Sequence, residues 1–291
     1  MTYELVPFPK PTKRPWGLLT DSVPELEVGD GKHWYGGIAI QPINGEMSRL
    51  TPEFCIGDPD DPYDAAISGT TDYFSAFHIV GTEKCSTLSV QYEGLQGLLK
   101  ARYDVTVSEK IAEELEGGGY APQIKDPNTG ALTDNPTLSN TAVVVSATPD
   151  TADSVLALIE GGLAYVLHGA VGVIHMNPAM LALLDSDRVE LGADGIWRTK
   201  SGHIVVSDSG YTGIPPEGHS PETGVGWMYG SGMIAYKLVP IDGIDSPSDN
   251  FDQGHNDYTG RILALALYAF DTNTVVAAPV DLPPAFGSEG S

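Results

Sequence analysis

The sequence predicts an α+β fold, and three observations carry that expectation. One long helical stripe occupies residues 90–116, a strand–helix–strand–helix–strand run occupies 142–207, and the chain beyond it is β-rich. With 41% hydrophobic and 19% charged residues, the composition is that of packed domains and not of a disordered chain.

The first 35 residues carry Pro7, Pro9, Pro11, Pro15 and Pro24. That density excludes helix and favours an extended arm. Trp16 and Trp34 lie in the arm, which has no core of its own, so both must pack on something else, either the body of this chain or another copy. Residues 36–88 read as irregular β. The apolar Ile38-Ala39-Ile40 and the aromatic stretch Asp72–Val80 suit strands, and a loop rich in Asp, Pro and Gly separates them. Together they predict an extended hairpin.

Val90, Leu95, Leu98, Leu99, Val105, Ile111 and Leu115 approximate a helical stripe, ended by Gly117-Gly118-Gly119. A polar linker (120–141) precedes the apolar strand 142–145. Thr148-Pro149 predicts a helix start, with a capping hydroxyl followed by proline at the first helical position. That helix, 149–168, would bury Val155, Leu156, Ile159, Leu163 and Val166. Strand 171–175, a helix opened by Asn177-Pro178 and running to about Asp187, and strand 202–207 complete the unit. Beyond it, Trp227–Val239 and Ile262–Phe270 read as single strands, the second alternating Leu263, Leu265 and Leu267 with Ala264 and Ala266. A last strand covers 275–279.

Fifteen basic against 39 acidic residues give a net charge of −24. So acidic a surface repels phosphates, which argues against reading of nucleic acid sequence. Lys10, Lys13, Arg14 and Lys32 concentrate in the arm, either as a solvated tail or as a basic strip for a neighbour's acidic surface. Cys55 and Cys85 fit no metal spacing and read as free thiols. No apolar run reaches eighteen residues, so no bilayer span is expected. The opening MTYELVPFPKPTKRPWG lacks the apolar core of a signal peptide.

No nucleophile-elbow, zinc-helix, phosphate-loop or dinucleotide-loop motif is present. Asp58, Asp60, Asp61 and Asp64, and again Asp249, Asp252, Asn256 and Asp257, could suit a hard cation, but neither group has the twelve-residue calcium spacing and both read as solvated loops. His175 and His203, at apolar strand ends, read as hydrogen-bonded core or rim residues. Arg261 within an apolar strand reads either as a salt-bridge partner across subunits or as an exposed cation on an edge strand. No catalytic, metal or cofactor residue is assigned.

The order of these elements resembles the major capsid proteins of tailed bacteriophages, the Hong Kong 97-type family that also includes encapsulins. The likeness rests on GVIHMNPAMLALLDSDRVELGADGIWRTKSGHIVVSDSGYTG (172–213), GWMYGSGMIAYKL (226–238) and NDYTGRILALALYAFDTNTVVAAPVDL (256–282), which are similar to the family's axial segment, following strand and ending. The resemblance implies an N-terminal arm (1–35), an extended loop (36–88), a spine helix with the first part of a peripheral domain (89–141), an axial domain (142–226), and the rest of the peripheral domain with the tail (227–291). It implies a non-enzymatic subunit without cofactor that assembles with itself into pentamers and hexamers around DNA, in a virion built in the bacterial cytoplasm. Separate scaffolding, portal and decoration proteins would be its further partners, and no membrane is involved. Candidate interface residues are Trp16, Trp34, Tyr73, Phe74, Phe77 and Arg261. A minor virion protein or a cellular encapsulin-like shell shares this pattern, and an α/β hydrolase with an unread site is the rival from another class.

Overall fold

The computed structural model describes residues 17–19, 23–27, 37–40, 71–86, 92–125, 130–240, 250–252 and 257–283, and for 83–86, 92–99, 240, 250–252 and 257–261 the backbone alone. Trp16, Trp34, Cys55, the 58–64 acidic loop, Asp249 and Asn256 lie outside these residues, as do Lys10, Lys13, Arg14 and Lys32.

Strand β1 (Ile38–Ile40) pairs antiparallel with β2 (Asp72–Phe74), Ile38 opposite Phe74. This is the predicted hairpin pairing, but it ends sooner than the sequence suggests. Ser75 donates its N–H to Asn135 Oδ1 at 2.8 Å, and the chain leaves the pair there to begin β3 (Phe77–Ser86) in a different sheet. Helix α1 (Tyr92–Gly117) follows. Val107, Ile111 and Leu115 recur every fourth residue on its buried side. It stops where expected: Gly118 takes a left-handed φ of +70° and donates its N–H to the Glu114 carbonyl. The short hairpin β4 (Ile124–Lys125) and β5 (Leu132–Thr133) leads to α2 (Leu138–Thr141) and β6 (Val143–Val144).

Helix α3 (Ala152–Val166) begins three residues later than Thr148-Pro149 predicts, with Thr151 as the cap accepting from the Ser154 N–H. The delay has a tertiary cause: Asp150 is still extended, its carbonyl accepting the Asp281 N–H at 2.8 Å. After β7 (Val173–Met176), α4 (Pro178–Leu183) opens as predicted, Asn177 capping Met180 and proline in the first turn, but closes before Asp187. Then come β8 (Val189–Leu191), β9 (Trp197–Thr199), β10 (Ile204–Ser207), β11 (Val225–Ser231), β12 (Ala235–Pro240), β13 (Asn250–Asp252), β14 (Asp257–Ala269) and β15 (Val276–Asp281). The expected single strand 227–239 is therefore two strands. Gly232, whose N–H goes to Thr274 Oγ1 at 2.9 Å, marks the passage between two sheets.

The larger sheet has seven strands in the order β6-β15-β11-β7-β10-β9-β8. It draws from both sides of position 226. Alternation along its central strands splits the side chains cleanly. Val173, Ile204, Val206, Trp227, Tyr229 and Ala277 join one core. Ile174, Val205, Met228, Val276 and Ala278 join a second, closed by Val155, Ile159 and Leu163 of α3 and Met180 of α4. Because both faces are covered, these strands read as continuous apolar runs. The smaller sheet is centred on β14, with β3 along one edge and β12 and β13 along the other. The Leu/Ala alternation of 263–267 does not become an inside and an outside, since Ala264 to Phe270 are all buried.

The described parts of the N-terminal segment pack on their own chain. Leu18 and Val23 belong to the first core. Leu26 donates its N–H to the Tyr236 carbonyl, and Tyr236 in turn donates to Pro24, so this stretch lies along β12 as an added edge.

Candidate functional site

The loop after β10, residues 208–214, is the polar junction of the molecule. Three elements far apart in sequence meet on it: α1, the seven-stranded sheet and the N-terminal segment. Asp208, buried, accepts from the Leu18 N–H at 3.1 Å, from Ser108 Oγ at 2.6 Å and from the Gly210 N–H at 3.2 Å. Gly210 itself sits against the backbone of α1; a Cβ there would lie 2.0 Å from the Glu109 carbonyl oxygen. Glu116, only 1% exposed, accepts from the N–H and hydroxyl of Thr212 and from the Gly213 N–H. Burial raises the Glu116 pKa, and these donors pull against that rise. Glu114, two residues earlier and on another face of α1, is in a similar situation: burial raises it, while the N–H groups of Tyr120 and Ala121 favour its charged form. Trp227 N–H donates to the Gly213 carbonyl and Tyr229 Oη to that of Ile214, which fastens the loop to β11.

Beneath the loop, Tyr211 Oη is 2.8 Å from His175 Nδ1, and His175 Nε2 is 3.0 Å from Ser231 Oγ. The single Ser231 hydroxyl proton is directed at the Gly232 carbonyl, 2.8 Å away. Nε2 therefore carries the imidazole hydrogen, and Nδ1 accepts from Tyr211. Burial drives the His175 pKa down to about 3 and raises the Tyr211 hydroxyl well above its usual value, so both are neutral at ordinary pH. A Ser–His contact is the seed of a nucleophilic site. Here both residues are 0% exposed, so no substrate can reach the hydroxyl. The chain is a strut between β7, β11 and the 208–214 loop. His203 does comparable work at the sheet's end, its Nδ1 accepting the Gly172 N–H at 3.0 Å. Both histidines are hydrogen-bonded core or rim groups, as the sequence suggests.

Of the candidate interface residues, Phe74 and Phe77 are buried within the chain. Phe74 packs edge-on to Phe270 at 5.3 Å and to Tyr268 at 6.0 Å, and Phe77 to Tyr268 at 6.1 Å. Their rings are core and offer no surface to a neighbour. Tyr73, on the opposite side of the pleat, is half-buried and lines a cavity of about 470 Å³ between β1–β2 and β4. Arg261 stands on β14 opposite Thr82 of β3, at a stretch that neither β12 (opposite 264–269) nor β13 (opposite 257–259) reaches among the described residues. A second cavity, about 740 Å³, opens beside the glycines that end α1 and is lined by Asn135, Thr137, Asn140 and the 215–221 loop. Among the described residues, no cluster of three or more His, Cys, Asp or Glu could hold a metal ion, and no helix is long and apolar enough to cross a membrane.

Sequence reasoning missed the buried carboxylates. Nothing in the run Ala112-Glu113-Glu114-Leu115-Glu116 separates the two that are buried from the one that is half-exposed. The readable signal was Gly210 and Gly213 flanking Tyr211-Thr212, since glycines so placed permit close backbone approach.

No family model and no curated protein matches the chain. Solved structures do match along its length. A chain of the Mycobacterium phage Ogopogo structure superimposes with a TM-score of 0.52 at 13% identity, covering 96% of this chain and 97% of that one. Mycobacterium phage Che8 gives 0.52 at 11% identity, covering 96% of each. The capsid of the empty GTA particle gives 0.50 at 12% identity, covering 97% of this chain and 94% of that one. At these identities the likeness is one of fold. The protein has a tailed-phage capsid-protein-like α+β fold.

Proposed function

We propose that this chain is a structural virion protein, the subunit of an icosahedral phage-type head that assembles with itself into pentamers and hexamers and encloses DNA without reading it. The observation that carries this reading is the extent of the structural likeness, which covers nearly all of this chain and nearly all of its counterparts. In that reading α1 is the spine helix. The β14-centred sheet belongs to the peripheral part (89–141 and 227–291), with β3 joining it from the 36–88 segment, and 142–226 supplies most of the axial part. Residues 1–35 form the arm and 36–88 the extended loop. Trp16, Trp34, Tyr73 and Arg261 remain candidate contacts between copies.

In this reading the subunit has no catalytic role. The net charge of −24 suits a wall that does not trap a packaged polyanion. Scaffolding, portal and decoration proteins would be partners during assembly in the bacterial cytoplasm, and the virion would be the final location. Light scattering and negative-stain electron microscopy of the purified chain test the proposal. Closed shells, pentamers or hexamers support it. A 30.8 kDa monomer at every concentration and ionic strength overturns it.

A further inference from the structure

Helix α3 covers the outside of the seven-stranded sheet, and its inner side is fully used by Val155, Leu156, Ile159 and Leu163. Its outer side carries no charge, although the chain as a whole is strongly acidic. Ala157, Leu158, Gly161, Ala164 and Tyr165 follow one another at helical spacing there, all exposed and none charged. Tyr165 is 81% exposed and Leu158 40%. The helix's carboxylates, Asp153 and Glu160, stand half-buried on one flank, and Asp153 faces Arg188 at 3.5 Å.

Two adjacent glycines sharpen the point. A Cβ at Gly162 would press to 3.0 Å on Val145 and 3.3 Å on Val276, so that glycine lets α3 settle onto the sheet. A Cβ at Gly161 would meet nothing within 4 Å. Glycine loosens a helix interior relative to alanine, and no described contact within the chain requires it at 161.

We propose that the outer face of α3 is a contact between copies of this chain, with Tyr165 as the anchor and Gly161 admitting the neighbour's close approach. The inference deepens the shell reading above and rests on it. Charge selects the occupant. Every copy carries −24, so faces studded with carboxylates repel one another, and a neutral apolar face is where like-charged copies meet at least electrostatic cost. A basic partner would be drawn to the carboxylates instead. An exposed tyrosine among small residues also has the make-up of an interface anchor.

The test uses the full chain in about 0.5 M salt, where repulsion is screened to within a few ångströms. Sedimentation velocity and electron microscopy compare wild type with Tyr165→Glu, Leu158→Glu and a control, Leu132→Glu, which adds the same charge to the exposed β4–β5 hairpin. Thermal melts confirm that each variant folds. The expected result is that Tyr165→Glu and Leu158→Glu raise the concentration needed for assembly at least about tenfold, while Leu132→Glu assembles as wild type does. If the α3 variants assemble normally, the face meets solvent or another protein, and the inference fails while the shell reading stands. If Leu132→Glu blocks assembly equally, added charge alone is responsible and α3 has no special place. A wild-type chain that never assembles overturns both readings.

Discussion

Gly210 and His175 show how much of this molecule rests on single residues of the 208–214 junction. At Gly210 the loop touches the main chain of α1, and a methyl group would need space already held by the Glu109 carbonyl and the Glu113 amide. Neither is a flexible side chain that can swing away. Gly210→Ala is expected to destabilise the fold by roughly 3 kcal/mol, measured by urea unfolding. His175 adds a pH dependence of defined sign. Its folded pKa, about 3, lies below its ordinary 6.5. The stability it contributes is therefore complete above 6.5 and is lost as pH falls from there towards 3, at up to about 1.4 kcal/mol per pH unit. Glu114 and Glu116 act in the opposite sense. Their raised values mean that their contribution is fully present below their ordinary 4.5 and is lost as pH rises through the folded values, so on acidification they work against the His175 loss. In His175→Gln the amide can still accept from Tyr211 and donate to Ser231. That variant should be less stable at pH 7.5 yet lose much less stability between pH 6.5 and 5; an unchanged slope in that window would place the acid sensitivity elsewhere.

At the scale of elements, α3 offers a paired comparison on one helix. Gly161→Ala should raise the melting temperature of the monomer, since it removes a helix-interior glycine worth about 1 kcal/mol and meets no obstacle. Gly162→Ala gains the same propensity but must push Val145 and Val276 apart, so its melting temperature should fall at or below that of wild type. Differential scanning calorimetry of the two variants separates propensity from packing. The element boundaries tell the same story. Asn177-Pro178 and Gly118 mark ends that local chemistry dictates, and the structure places both where the sequence did. Thr148-Pro149 is equally good chemistry for a start, but Asp150 is committed to the Asp281 amide and the helix waits for Thr151. Local signals set helix ends only where no strand competes for the same backbone.

Across the whole molecule, the dominant long-range term is charge. Copies carrying −24 each repel, and salt weakens that repulsion over a Debye length of about 30 Å at 0.01 M and about 10 Å at 0.1 M. If the chain builds shells, assembly measured by light scattering should strengthen as ionic strength rises from about 0.01 to about 0.5 M. Assembly that weakens with salt would mean that the contacts are ion pairs between a basic segment and acidic surface, and would point to Lys10, Lys13, Arg14 and Lys32. The described N-terminal residues already have a structural job within the chain. Leu18 and Val23 fill the core that α1 shares with both sheets, and Asp208 holds the Leu18 amide. That segment is part of the body as well as a lead-in to whatever precedes it.

The sequence by itself determined the class of fold, the long helix and its glycine stop, the run of alternating strands and helices, and the acidic character. All of these depend on composition, spacing or chemistry confined to a few neighbouring residues. It also placed His175 and His203 correctly as hydrogen-bonded interior groups. It could not determine that Trp227–Val239 divides between two sheets, that β11 and β15 enter the larger sheet between β6 and β7, or that Phe74 and Phe77 turn inward while Tyr73 does not. Nor could it tell the buried Glu114 and Glu116 from Glu113. Each of those outcomes depends on what lies across from a residue in space. An apolar strand looks the same whether one sheet or another claims it, and a glutamate on a helix is solvated or buried according to which loop folds over it. Only the tertiary structure decides the partner, and the partner decides the role.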